Sequence, residues 1–507
     1  MLDDVNGNHR TRWSWGGWCF AYGAVFFLYA QSASAAPVFG RPGFYPVDGS
    51  PVSIVALAVD QQLGLDLATG NEAGQEGPSL SFLLNRGAGS FFPERRRNVD
   101  AQYILHAVAA GDFNNNGTTD LVVAVTDTSE FPPRAAVLLY RNAGNGTFRE
   151  PVPYPLSGLF PQCLAAADVT GDGLLDVVVC HSTQVGGNLQ GLVSVLPGRG
   201  TTENTFATPI EFRVGTAPTT VAVATLDGDN RRDLVIGDPD ARKVFALYGN
   251  ASPRFFDEAV VLGEIDAPSA LAVVDVDPPS LPDVIATSYS TSRLVTFRQT
   301  ASRSFAAPTS IPVVQRPSDM GTEDFDGNGT TDIVMLSFTQ ATLSLWSGDG
   351  HGSFTFGESV TVTDSPDHLT IANLNDDTKP DVALVSSFTN MVTVVLNGVD
   401  APFTPTPSPT ITRTPSRTAT RTRSATPTLT PTGSRMPTFT PTPTRTPTAT
   451  RTPAGPGDAN CDGRIDAADI DGIIPQIFFP TCTGADVNGD QRVTVSDLLL
   501  IIELVHP

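Results

Sequence analysis

Histidine and cysteine are scarce, at six and five in 507 residues, too few for a zinc-rich module. Charged residues make up only 17%, and they are lopsided: 31 basic side chains face 53 acidic ones, for a net charge of −22. That balance argues against a nucleic-acid backbone as partner. No HExxH, nucleophile or phosphate-loop motif is present, so the common metalloprotease, hydrolase and nucleotide-binding signatures are absent. Turn-formers are abundant, with 45 Gly and 42 Pro, a load that opposes a helical bundle or coiled coil and favours many short strands. At roughly 150 residues per domain, the length suggests about three domains.

Charge locates the modules. Residues 1–36 balance, residues 401–456 carry seven Arg and no acid, and residues 457–507 hold nine acids against Arg464 and Arg492. Such shifts on both sides of a Pro-rich stretch mark boundaries. At the amino terminus, Arg10 and Arg12 precede an apolar run from Trp13 to Ala30, and Ala33-Ser34-Ala35 offers a small-residue cleavage site. Residues 1–35 therefore read as a signal peptide, leaving no stable membrane span after cleavage; an uncleaved anchor is the competing reading. Export implies a secreted or cell-surface, oxidising, calcium-rich destination.

Between residues 36 and 400 a nine-residue acidic loop recurs between apolar strands. The clearest copies read DFNNNGTTD (112–120), DVTGDGLLD (168–176) and DFDGNGTTD (324–332), with weaker ones at 225–233 and 373–381 and degenerate ones at 58–66 and 275–283. The last Asp falls at 66, 120, 176, 233, 283, 332 and 381, a period near 50. Each copy is followed by two β-rich runs, a Gly-rich turn and a Phe, so every repeat supplies about four short strands. Seven four-stranded sheets fit an all-β, seven-bladed β-propeller. Residues 39–47 (FGRPGFYPV) match 148–156 (FREPVPYPL), yet they precede every repeat, while the seventh repeat ends without such a strand. The amino-terminal segment is thus expected to pair with strand 391–396 and close the ring; an open solenoid is the alternative. The pattern resembles the FG-GAP/VCBS repeat family, calcium-bearing propellers that include the integrin α-subunit head.

Oxygens at loop positions 1, 3, 5 and 9, with Gly near position 6, suit one hard cation with six to eight oxygen ligands, and Ca2+ is the cofactor this predicts. The candidate ligands are Asp112, Asn114, Asn116 and Asp120; Asp168, Thr170, Asp172 and Asp176; and Asp324, Asp326, Asn328 and Asp332. Asp227, Asp229 and Asp233 form a weaker set, and Asn373, Asn375, Asp377 and Asp381 carry only two charges. The loops at 58 and 275 are read as having lost too many oxygens, with Pro278, Pro279 and Pro282 stiffening the second. Cys163 and Cys180 flank the 168–176 loop and are expected either to bridge or to stay as buried thiols.

Residues 401–456 are Thr-Pro repeats punctuated by Arg, a composition that cannot bury a core and reads as a disordered, extended linker. Residues 457–507 contain two further loops with EF-hand-like spacing: Asp458, Asn460, Asp462, Asp466 and Asp469, then Asp486, Asn488, Asp490, Thr494 and Asp497. This duplication resembles a dockerin, which implies a small α-helical calcium module with a cohesin-like partner. Two departures are Gly472 and Pro475, which interrupt the first helix, and the loop-end pairs Ala467-Ala468 and Val495-Ser496. Cys461 and Cys482 are expected to bridge. The histidines His106, His181, His351 and His368 fall in different repeats without shared spacing. The expectation is a non-enzymatic, secreted binding or adhesion propeller with an extracellular polysaccharide or protein ligand. A carbohydrate-active lyase or hydrolase and a purely structural surface protein are the alternatives.

Overall fold

The computed structural model describes residues 38–398, apart from 61–63, 75–76, 130, 202–204 and 279–280. The expected signal peptide, linker, dockerin-like module and Cys461–Cys482 bridge lie outside the described residues. Within them, seven four-stranded antiparallel sheets follow one another as the blades of a propeller, and no helix occurs among the described residues. The second blade shows the plan: Tyr103–Gly111, Asp120–Asp127, Arg134–Tyr140 and Val152–Pro155, each paired with the next. The other sequential blades open at Pro51–Leu57, Leu159–Ala167, Thr220–Ala224, Pro268–Val274 and Pro317–Glu323.

The seventh blade is built differently. Strands His368–Ala372, Asp381–Ser386 and Met391–Val395 take their fourth, outer strand from the opposite end of the domain, Gly43–Pro46. The pairing is antiparallel, with Tyr45 opposite Val392, and Phe39 bridges to Asn397 one step further on. This is the closure expected from the likeness of residues 39–47 to 148–156.

Side-chain alternation explains why the blades stack. Successive residues of a strand point to opposite faces, so Leu121, Val123 and Val125 pack toward the first blade while Val122 packs toward the third. Both faces of each second strand are covered, which accounts for apolar runs such as Val177, Val178 and Val179, all fully buried. A hydrophobic cluster occupies each of the seven blade junctions, including the one joining Tyr45, Val385 and Val392 to Ile54, Leu67 and Leu83 of the first blade.

Cys163 and Cys180 lie directly opposite across the first two strands of the third blade and form a disulfide. Their separation of 17 residues corresponds to about 3 kcal/mol of constraint on the unfolded chain. The double variant Cys163→Ser, Cys180→Ser is expected to lose that amount in denaturant unfolding; an unchanged midpoint and slope would contradict it.

Candidate metal centres

The loop joining the first two strands of a blade owes its shape to two left-handed residues. Positions 4 and 6 have positive φ in five loops: Asn115 and Gly117, Gly171 and Gly173, Gly228 and Asn230, Gly327 and Gly329, and Asp376 and Thr378. All but Thr378 are Gly, Asn or Asp, which tolerate this conformation, and that is the physical origin of the repeated Asn-Gly and Asp-Gly letters. Gly117, Gly173 and Gly329 have φ of 81°, 84° and 83°, so position 6 repeats closely among the three strongest copies.

Within that turn the acids divide into two kinds. The first aspartate draws the loop around itself: Asp324 Oδ1 accepts the N–H of Gly327 at 2.9 Å and of Asn328 at 3.0 Å, and Oδ2 that of Gly329 at 2.8 Å. Asp168 does the same with Gly171, Asp172 and Gly173, and Asp112 with Asn116 and Gly117. These first-position side chains border solvent.

The last aspartate is almost wholly buried in all seven blades. One oxygen takes a backbone N–H at the end of the third strand: Asn85 to Asp66, Asn142 to Asp120, Gly198 to Asp176, Gly249 to Asp233, Gln299 to Asp283, Gly348 to Asp332 and Asn397 to Asp381, all within 2.6–2.9 Å. The other oxygen takes loop N–H groups, as Asp332 does from Phe325 at 2.9 Å and Asp326 at 3.1 Å. Position 9 thus fastens the loop to the third strand whether or not the rest of the acidic pattern survives, which is why Asp66 persists in the degenerate first copy. Burial raises the pKa of these carboxyls, to about 6 for Asp120 and Asp381, against the lowering effect of the N–H groups they accept. A buried carboxylate so placed gains from a nearby cation.

Sequence reasoning missed the amides beside these aspartates. Asn85, Asn142, Gln299 and Asn397 each send a side-chain N–H to a loop carbonyl of the preceding blade: Leu374, Val59, Leu226 and Phe325 respectively, at 2.8–2.9 Å. The signal available was an amide residue one or two positions past the third apolar run.

The donor oxygens fit a hard cation on an independent observation. Asn114 Oδ1 and Thr170 Oγ1, both at position 3, and Asn373 Oδ1, at position 1, are buried without any hydrogen-bond partner. Buried acceptors are rarely left so, and three of them fall at predicted ligand positions. In the sixth blade Asp324, Asp326 and Asp332 bring one carboxylate oxygen each within 4.8 Å of one another. Asp168, Asp172 and Asp176 do not converge that closely, nor do Asp227, Asp229 and Asp233. The fifth blade departs from expectation: Asp275, Asp277 and Asp283 also meet within 4.8 Å, so the prolines of that loop stiffen it without scattering its acids. Asn116, Asp172, Asn328 and Asp377, at position 5, each accept the N–H two residues on, a local turn bond that leaves further lone pairs. Asn375 accepts the N–H of Asp377 in the same way. The expected ligands from Asp458 to Asp497 lie outside the described residues.

The histidines are dispersed. His106 contacts Thr126 Oγ1 at 2.8 Å and His181 contacts Ser194 Oγ at 2.6 Å, and burial pushes both pKa values down to about 4. His368 sits 3.5 Å from Asp319, and His351 lies on an exposed turn.

A family model described as FG-GAP-like repeat matches residues 124–179 and 324–384. These segments span the second to third and the sixth to seventh blades, each running into or across the acidic loops. No curated protein matches the chain. Residues 38–398 thus form a seven-bladed β-propeller, two segments of which match the FG-GAP-like repeat.

Proposed function

We propose that this propeller is an extracellular binding or adhesion module stiffened by calcium, displaying its loops to a polysaccharide or protein ligand. The observation that carries the metal reading is the set of orphaned buried oxygens on Asn114, Thr170 and Asn373. A calcium ion supplies positive charge to carboxylates whose burial disfavours ionisation, and the first- and third-position side chains would hold it. The Cys163–Cys180 bridge supports an oxidising destination. Export itself, docking through residues 457–507 and the choice of ligand belong to this proposal, with polysaccharide and protein arrays run with calcium and with chelator as their test.

The metal reading has a simpler check. Extracellular calcium modules bind at about 10⁻⁴–10⁻³ M, so 10 mM calcium, about ten to one hundred times that, stabilises by about 1.4–2.7 kcal/mol per site. Thermal unfolding of the full chain in 10 mM calcium is therefore expected to exceed that in chelator by at least several degrees. Magnesium, which demands tighter octahedral geometry, should produce a smaller shift. Equal midpoints in calcium and chelator would remove the metal from the reading.

A further inference from the structure

The fourth loop already holds a cation of its own. Arg303 lies at the turn between Gln299–Ala301 and Ser304–Phe305 in the fifth blade, yet its guanidinium reaches back to the fourth. Its Nε donates to Asp227 at 2.7 Å and its Nη1 to Asp257 at 3.0 Å, and it stands 4.4 Å from the centre of the Tyr248 ring. The Asp227 side chain is only 4% exposed beneath it. Ser302 Oγ adds a bond to the Asp227 main-chain carbonyl at 3.2 Å. Asp229 in turn pairs with Arg231 Nη1 at 3.0 Å, Asp233 is the buried fastener, and position 1 is the uncharged Thr225. The two outer carboxylates of this loop thus face two guanidiniums. One blade on, Arg298 pairs with Asp277 of its own blade. Among the described residues, no Lys or Arg is ion-paired with Asp168, Asp172 or Asp176, nor with Asp324, Asp326 or Asp332.

We propose that Arg303 is a resident cation, taking in the fourth blade the place that calcium takes in the loops without an arginine, and joining blades four and five independently of metal. The inference rests on the calcium reading for its contrast, but the arginine's contacts are its own support. A guanidinium suits this position because it stays charged at any ordinary pH, its planar fork engages two carboxylates at once, and it stacks on an aromatic face. The three partners Asp227, Asp257 and Tyr248 fix it in advance, so little freedom is lost when the bonds form. On this account Asp227, Asp229 and Asp233, which sequence spacing offers as a weak calcium set, are not a calcium site in the native chain. The ring then has metal-dependent and metal-independent sectors.

Hydrogen exchange on the full chain, with calcium and with chelator, tests this loop by loop. Chelation is expected to speed exchange of the amides in 168–176 and 324–332 by roughly tenfold or more, the scale of one charge-assisted hydrogen bond, and to leave 225–233 unchanged. Arg303→Gln is expected to speed exchange at 225–233 by a similar factor in either condition, with strands of the first three blades unaffected as the control for folding. Arg303→Lys, which keeps the charge but loses the fork, should fall between. Chelator sensitivity at 225–233 equal to that at 324–332 in the native chain overturns the proposal, as does unchanged exchange there in both variants. If no loop responds to chelator, the calcium reading fails, and the two variants alone decide whether the arginine fastens the loop.

Discussion

Asp332→Ala is expected to destabilise the chelated propeller by about 3–5 kcal/mol, because one buried and two part-buried N–H groups lose their acceptor, at a cost of about 1–3 kcal/mol for the buried one and less for each of the others. The donors are Phe325 and Asp326 on one oxygen and Gly348 on the other, and water cannot replace the carboxylate at a position with no exposed surface. Asp332→Asn should recover only part of the loss, since the amide offers one acceptor oxygen and turns two N–H donors toward N–H donors. Asp324→Asn is the informative companion. Its carboxylate caps Gly327, Asn328 and Gly329 at the loop surface, where water can substitute, so its cost in chelator should stay near 1 kcal/mol. It should nevertheless abolish the calcium-induced rise in this blade, because it removes a charge from the set that converges within 4.8 Å. Chemical denaturation of both variants, with calcium and with chelator, separates the roles. If the two give the same profile, the division between fastening and metal-holding acids is wrong.

That division shows what the sequence could and could not reveal. Period, strand count and ring closure were legible because each is written in residue spacing: the last Asp recurs near every fiftieth residue, and residues 39–47 repeat 148–156. The candidate loops were legible for the same reason. The job of the ninth position was not, because an acid that accepts backbone N–H groups and an acid that ligates a metal are the same letter. Nor was the junction bond from Asn85 to Leu374, whose partners lie 289 positions apart and meet only after the ring closes. The loop at 275–283 misled in the other direction. Its prolines restrict the backbone, yet Asp275, Asp277 and Asp283 still converge, since the fastening of Asp283 to Gln299 is preserved. The bridge between Cys163 and Cys180 was undecided on spacing alone; only their placement directly opposite one another on neighbouring strands decides it.

Removing residues 38–47 is expected to have the larger consequence of all, because it opens the ring. Tyr45 is 1% exposed and packs edge-on against Phe91 at 5.4 Å between ring centres, while Phe39 meets Phe325 at 5.8 Å. These two aromatics therefore anchor the segment on both neighbouring blades. Truncating a buried aromatic to alanine costs about 3–5 kcal/mol, so Tyr45→Ala alone should consume a large share of a domain stability of about 5–15 kcal/mol. Deleting the whole segment also frees the edge of Met391–Val395, whose backbone groups now pair with Gly43–Pro46. An apolar strand with an open edge recruits other chains, so the truncated protein should unfold at lower temperature and associate. A synthetic peptide of residues 38–50 added in trans should restore a soluble monomer, since it returns the missing strand and both aromatics. Scattering and thermal unfolding with and without the peptide make the comparison. A truncated chain that stays monomeric with an unchanged midpoint would show that three strands suffice for the seventh blade, and that the amino-terminal strand decorates the ring without closing it.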